Sequence, residues 1–179
     1  MSTLGELRDT VASTLATAFA GSVREVATID GAASLAELLR RSPRVPALLV
    51  DLPADEVASV VAGSPLTRIT FHVYVVIAAT ANAARGKALL DLSGAVRQWI
   101  AATKPTWGDV TVTPPTGVAR RNIYSAKLDS MSAALALVAW TQEARFTDTD
   151  PTLVDLAHLN FEWAVGDEGA TITDDVTFP

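Results

Sequence analysis

The sequence predicts an α+β protein, with a mixed or antiparallel sheet, helices packed on one face and an extended C-terminal arm. Three stretches carry that expectation. From Thr67 to Ala79 apolar and polar residues alternate with period two, as in a strand with one buried face. From Ala83 to Ala102 apolar residues recur at helical spacing for more than three turns. From Ala133 to Phe146 a second long strand follows, with Leu135, Leu137 and Ala139 opposing Ala136, Val138 and Trp140. Long strands around an amphipathic helix bury their apolar sides by stacking as layers.

The remaining elements fall in order around these. Leu4, Leu7, Val11, Leu15, Ala18 and Phe19 mark a first helix, capped by Ser2 or Thr3 and stopped at Gly21. Val23–Ile29 reads as a short strand, and Asp30–Gly31 as a turn. Ser34 caps an expected second helix whose stripe is Leu35, Leu38 and Leu39, ended by Pro43. Pro46–Leu52 reads as a buried strand, and Asp55–Ala62 as one short helix. In the long strand, Ile69, Phe71, Val73, Val75 and Ile77 share a face, with Thr70, His72 and Tyr74 on the other. Val76 interrupts the polar side, so that face is expected to be partly covered.

In the long helix the stripe is Ala88, Leu89, Leu92, Ala95, Val96, Trp99 and Ile100. Arg85, Lys87, Asp91, Arg97 and Gln98 are expected on the outward side. Gly86 and Gly94 each cost about 1 kcal/mol relative to Ala, so packing rather than propensity must hold this helix. Lys104–Pro105 ends it. Val110–Val112, a Pro114–Pro115 turn and a weak strand near Ile123–Leu128 lead to the last long strand. The polar outer half of that strand, Thr141–Arg145, reads as leaving the packed sheet. Residues 1–148 form the expected domain. Residues 149–179 form an extension in which an apolar patch gives way to the acidic Asp167, Glu168, Asp174 and Asp175.

Composition narrows the function. Apolar residues make up 49 % and charged residues 19 %, a lightly charged surface that partners can cover or that a biased composition can produce. Net charge is −6 and the arginines are scattered, which argues against phosphate-neutralising nucleic-acid binding. The absence of cysteine removes disulfides and thiolate metal sites. No signal-peptide pattern opens the chain, and its apolar runs are too short for a membrane span, so cytoplasmic synthesis is the expectation.

Catalytic equipment is sparse. The two histidines, His72 and His158, lie in no metal-binding spacing, and no serine stands in a nucleophile elbow. The carboxylate pairs Asp148/Asp150, Asp167/Glu168 and Asp174/Asp175 sit in polar linker and tail, away from any pocket that shifts a pKa. Phosphate-binding glycine motifs are missing. No catalytic residue, metal or cofactor is therefore expected. Trp107 either caps the core beside Trp99 or anchors a contact. Trp163 and Phe178 pose the same choice, with contact favoured in a tail. The alternation of Ala170–Thr173, centred on Ile172, fits a strand added to a neighbouring subunit's sheet.

Several segments in this order carry a resemblance. They are Leu4–Phe19, Val23-Arg-Glu-Val26, the Leu-rich helix ending at Pro43, and Val45-Pro-Ala-Leu-Leu-Val50. Phe71-His-Val-Tyr-Val75, Ala88-Leu-Leu-Asp-Leu-Ser-Gly-Ala-Val-Arg97 and the closing strand Leu135–Phe146 complete them. Together they resemble the Mu-like prophage tail protein family and, more broadly, the tail-terminator proteins of tailed phages. The resemblance spans residues 1–148. It implies a small α+β subunit that closes into a ring, commonly a hexamer, on the head-proximal end of the tail. Such a ring stops tube polymerisation and presents the head-joining surface. The implied partners are copies of itself, the tail tube and sheath proteins and the head–tail connector, in the virion and in the host cytoplasm during assembly. The family supplies no catalytic residues. Alternatives are another phage neck or baseplate adaptor, or a small hydrolase or transferase with an unrecognised site.

Overall fold

The computed structural model describes residues 3–29, 43–61, 64–78, 82–108, 111–123, 132–146, 158–165 and 170–177. The chain divides into two compact units, Met1–Thr147 and Asp148–Pro179.

The first unit is an α+β layer. Its described elements are α1 (Leu4–Ala18), β1 (Glu25–Thr28), β2 (Ala47–Val61), β3 (Ser64–Ala78), α2 (Asn82–Thr103), β4 (Thr116–Ile123) and β5 (Ala133–Ala144). The sheet is mixed, in the order β1-β2-β3-β5-β4. β1 runs parallel to β2, and the other pairs are antiparallel. Both described helices pack on one face. Leu7, Val11 and Leu15 of α1 and Leu89, Leu92, Val96 and Ile100 of α2 share a core with Val50, Ile69, Phe71, Val73, Val75, Val138 and Trp140 of the sheet. The alternation read from β3 is thus the division between its two faces. Val76 belongs to a smaller cluster on the opposite face, with Ala47, Leu49 and Leu135.

Local signals set several ends. The Thr3 hydroxyl accepts from the Glu6 backbone N–H at 3.1 Å, satisfying an otherwise orphaned donor of α1. Lys104 closes α2 in the left-handed region (φ 48°), its N–H donating to the Ile100 carbonyl at 3.0 Å. Pro105 then prevents continuation.

Four expectations need correction. Asp55–Ala62 is not a helix: through Val61 it continues β2, paired from Asp55↔Ile69 to Val61↔Ser64. The valines at positions 57, 60 and 61 mimic helical spacing. β-Branched residues also suit a pleated surface, and pairing with β3 decides between the two. Pro53 is tolerated because it lies at a bulge between Asp51 and Ala54, beyond the last residue of β2 that β1 pairs. The strand expected near Ile123–Leu128 starts instead at Thr116, with Gly117 at positive φ (64°) in a bulge. Residues 124–131 lie outside the described residues.

Arg85 is buried rather than outward (4 % exposed), because it stands one turn before Leu89 on the same stripe, whereas Ala95 is exposed. Finally, the polar end of β5 does not leave the sheet. Thr141–Ala144 stay paired with Thr67–Thr70, and on the other side Val112 bridges Ala144. The expected helix from Ser34 lies outside the described residues.

The second unit contains β6 (His158–Val165) and β7 (Ala170–Thr177), an antiparallel pair.

Candidate functional site

Trp107, the first candidate contact, is a core residue and not a surface anchor. It is 4 % exposed, and its ring lies 6.0 Å from Trp140, 6.3 Å from Phe71 and 6.4 Å from Trp99, centroid to centroid. Trp107 and Gly108 both hold positive φ (57° and 77°), which for a bulky residue costs about 1–3 kcal/mol. The strain is held by what the indole reaches. Its Nε1–H donates to Gln142 Oε1 at 2.7 Å, and Trp140 Nε1–H donates to the same oxygen at 2.8 Å. Gln142 Nε2 in turn donates to the carbonyls of Pro105 (2.9 Å) and Thr113 (2.6 Å). One fully buried amide therefore ties the loop after α2 to β5. Sequence reasoning placed Gln142 on a departing strand and missed it. Its place two residues after Trp140, continuing the buried alternation of Ala136, Val138 and Trp140, was the available signal.

Trp163 and Ile172 are directly paired across the β6–β7 ladder. The strand-like alternation around Ile172 thus finds a pairing partner within its own unit. Phe178 lies outside the described residues.

The largest feature the sequence did not reveal is the β2–β3 hairpin. β5 accompanies β3 only as far as Thr67↔Ala144, yet β2 and β3 remain paired to Val61↔Ser64. The hairpin thus projects past the rest of the described sheet. Val57 and Val60 on it are 65 % and 66 % exposed, and Pro65, opposite Val60, is exposed as well. Register puts Val57, Thr67 and Ile69 on the helix-side face, and Val57 is not part of the core buried there. An apolar flank is left in solvent, the arrangement of a surface that meets a partner.

The sheet face opposite the helices carries polar groups where it emerges from its small apolar cluster. Asp51 and His72 are register partners, and Tyr74 meets His72 edge-on at 6.0 Å. His72 Nδ1 is buried without a hydrogen-bond partner. Burial, and secondarily the Arg121 charge, hold the His72 pKa below its usual value, so the ring is neutral at pH 7. Burial, and then Asp51, push the Tyr74 hydroxyl pKa up. Nearer the hairpin, Arg68 bridges Glu56 at 3.1 Å and Glu143 at 2.9 Å, and these two carboxylates raise its pKa. These pairs are exposed and tie three strands by side chains alone, a weak contribution in water.

Two recesses adjoin β2. One, of about 180 Å³, is lined by Leu4, Gly5, Arg8, Ile29, Asp51, Leu52 and Asp55. The other, of about 190 Å³, is lined by Ala54, Asp55, Glu56, Arg68 and Thr70. Among the described residues no cluster of three or more His, Asp or Glu could hold a metal ion. No helix among them is long and apolar enough to cross a membrane.

No family model matches the chain. No curated protein matches it either.

Proposed function

We propose that this protein is a structural virion subunit, a phage tail terminator. It closes into a ring on the head-proximal end of the tail tube, stops tube growth and offers the surface to which the head joins. The observation that carries this reading is the projecting β2–β3 hairpin, whose Val57 and Val60 stay exposed in the single chain. Apolar side chains held on a two-stranded arm gain only when a neighbour covers them, at about 25 cal/mol per Å² of apolar surface removed from water. The order of elements in the first unit, with its resemblance to tail terminators, supports the same reading.

The test adds purified protein to polymerising tail-tube subunits and follows tube length by electron microscopy. Rings at one tube end and arrested growth are expected. Tubes that lengthen unchanged, with a protein that light scattering reports as monomeric throughout, would overturn the reading.

A further inference from the structure

The two margins of the five-stranded sheet differ in charge. At one margin, β2 beyond Val50 has no strand on its outer side among the described residues, and this stretch carries the exposed Asp55 and Glu56. At the other margin lies β4, paired with β5 alone and carrying Arg120 and Arg121. Arg120 is committed within the chain, donating to the Ser93 hydroxyl and to the Asn122 side chain. Arg121 is exposed and makes no ion pair or hydrogen bond among the described residues. Its charge lowers the pKa of both His72 and Tyr74. Asp55 also has no ion-pair partner among the described residues.

We propose that copies of this chain join edge to edge, with β4 of one copy seated along Ala54–Val57 of β2 in the next and Arg121 set against Glu56 of that neighbour. The proposal rests on the ring-subunit reading and names the contact that closes the ring. Its geometry follows from the sheet. A strand added to an edge sends alternate side chains to the two faces, and specificity comes from what receives them. A recess lined by Ala54, Asp55, Glu56, Arg68 and Thr70 lies over β2 and β3 beside this stretch. On β4, Arg121 shares a face with Ala119 and Ile123, the face opposite the helices. A sheet continued from copy to copy keeps that face, so Arg121 arrives beside Glu56, the register partner of Arg68, whereas Asp55, the partner of Ile69, lies on the helix side. There Arg68 is already shared by two carboxylates, so the site remains acidic.

The edge is also guarded. Pro53 offers no N–H, and bulges fall between Asp51 and Ala54 and between Val57 and Ser59. These limit any added ladder to a few residues and leave charge to choose the partner. Val57 ends that same run, so the contact continues onto the exposed apolar flank of the hairpin. The two margins are different surfaces. Their contact is therefore head-to-tail, and repetition closes a ring when the rotation per copy divides a full turn.

The experiment uses the full chain and three variants, Arg121→Glu, Glu56→Arg and the two combined, each checked for wild-type folding by circular dichroism. Sedimentation velocity measures association, or microscopy measures occupancy of tube ends if rings form only there. Each single variant should weaken association at least about tenfold by opposing like charges, and the double variant should return to within about threefold of wild type. Wild-type rings with single variants that assemble equally well would overturn the edge contact and leave the ring reading standing. A double variant no better than the singles would likewise overturn the Arg121–Glu56 pairing. A wild-type chain that forms no ring, alone or on tubes, would overturn both.

Discussion

Replacing Gln142 with leucine tests the reasoning about the core most directly. Gln142 is 1 % exposed, and its amide accepts from two indoles and donates to two carbonyls. Leucine fills similar space but leaves Trp107 and Trp140 with buried N–H groups that have no acceptor. Each orphaned donor costs about 1–3 kcal/mol, and the carbonyls of Pro105 and Thr113 add a smaller loss. The gain from burying an apolar side chain offsets about 1 kcal/mol. The net destabilisation should be about 3–5 kcal/mol, a large part of the roughly 5–15 kcal/mol that holds an ordinary domain folded. At about 2–4 °C per kcal/mol for a unit of this size, Tm should fall by about 6–20 °C. Urea unfolding followed by tryptophan fluorescence reads both the loss and the loosened ring cluster. A loss below about 1 kcal/mol would show that the amide is not the tie between the Trp107 loop and β5.

Three further outcomes are expected. His72 has a depressed pKa in the folded chain, so the unfolded chain binds more protons just below pH 6.5. The His72 contribution is fully present above about pH 6.5 and is lost as pH falls through the folded value. Arg121→Ala should raise the His72 pKa in an NMR titration without returning it to 6.5, because burial is the larger cause; an unmoved pKa would refute the Arg121 contribution. Gly86→Ala with Gly94→Ala should stabilise the protein by about 1–2 kcal/mol in urea unfolding. A Cβ at either position meets nothing within 4 Å, and alanine favours the helix, so a lower Tm would contradict the open space. Val57→Lys with Val60→Lys should leave stability within about 0.5 kcal/mol while reducing ring formation in light scattering, and unchanged assembly would remove the hairpin from the interface.

The sequence by itself determined the elements whose signal is local. The face alternation of β3, the buried stripe of α2 from Leu89 to Ile100, the Thr3 cap and the stop at Lys104–Pro105 all depend on neighbours within a few residues. Those patterns were enough for the α+β class and for helices on one sheet face. Only the tertiary structure decided what depends on distant partners. Val57 and Val60 fit a helix or a strand until β3 supplies the pairing, which turns Asp55–Val61 into half of a projecting hairpin. Trp107 could face solvent or core, and Gln142, a chain distance of 35 residues away, draws it inward. The end of β5 read as departing because its side chains are polar. It stays because β3 on one side and Val112 on the other satisfy its backbone. Backbone pairing and buried hydrogen bonds are settled between segments far apart in the chain, and no window of sequence contains both halves of the bond.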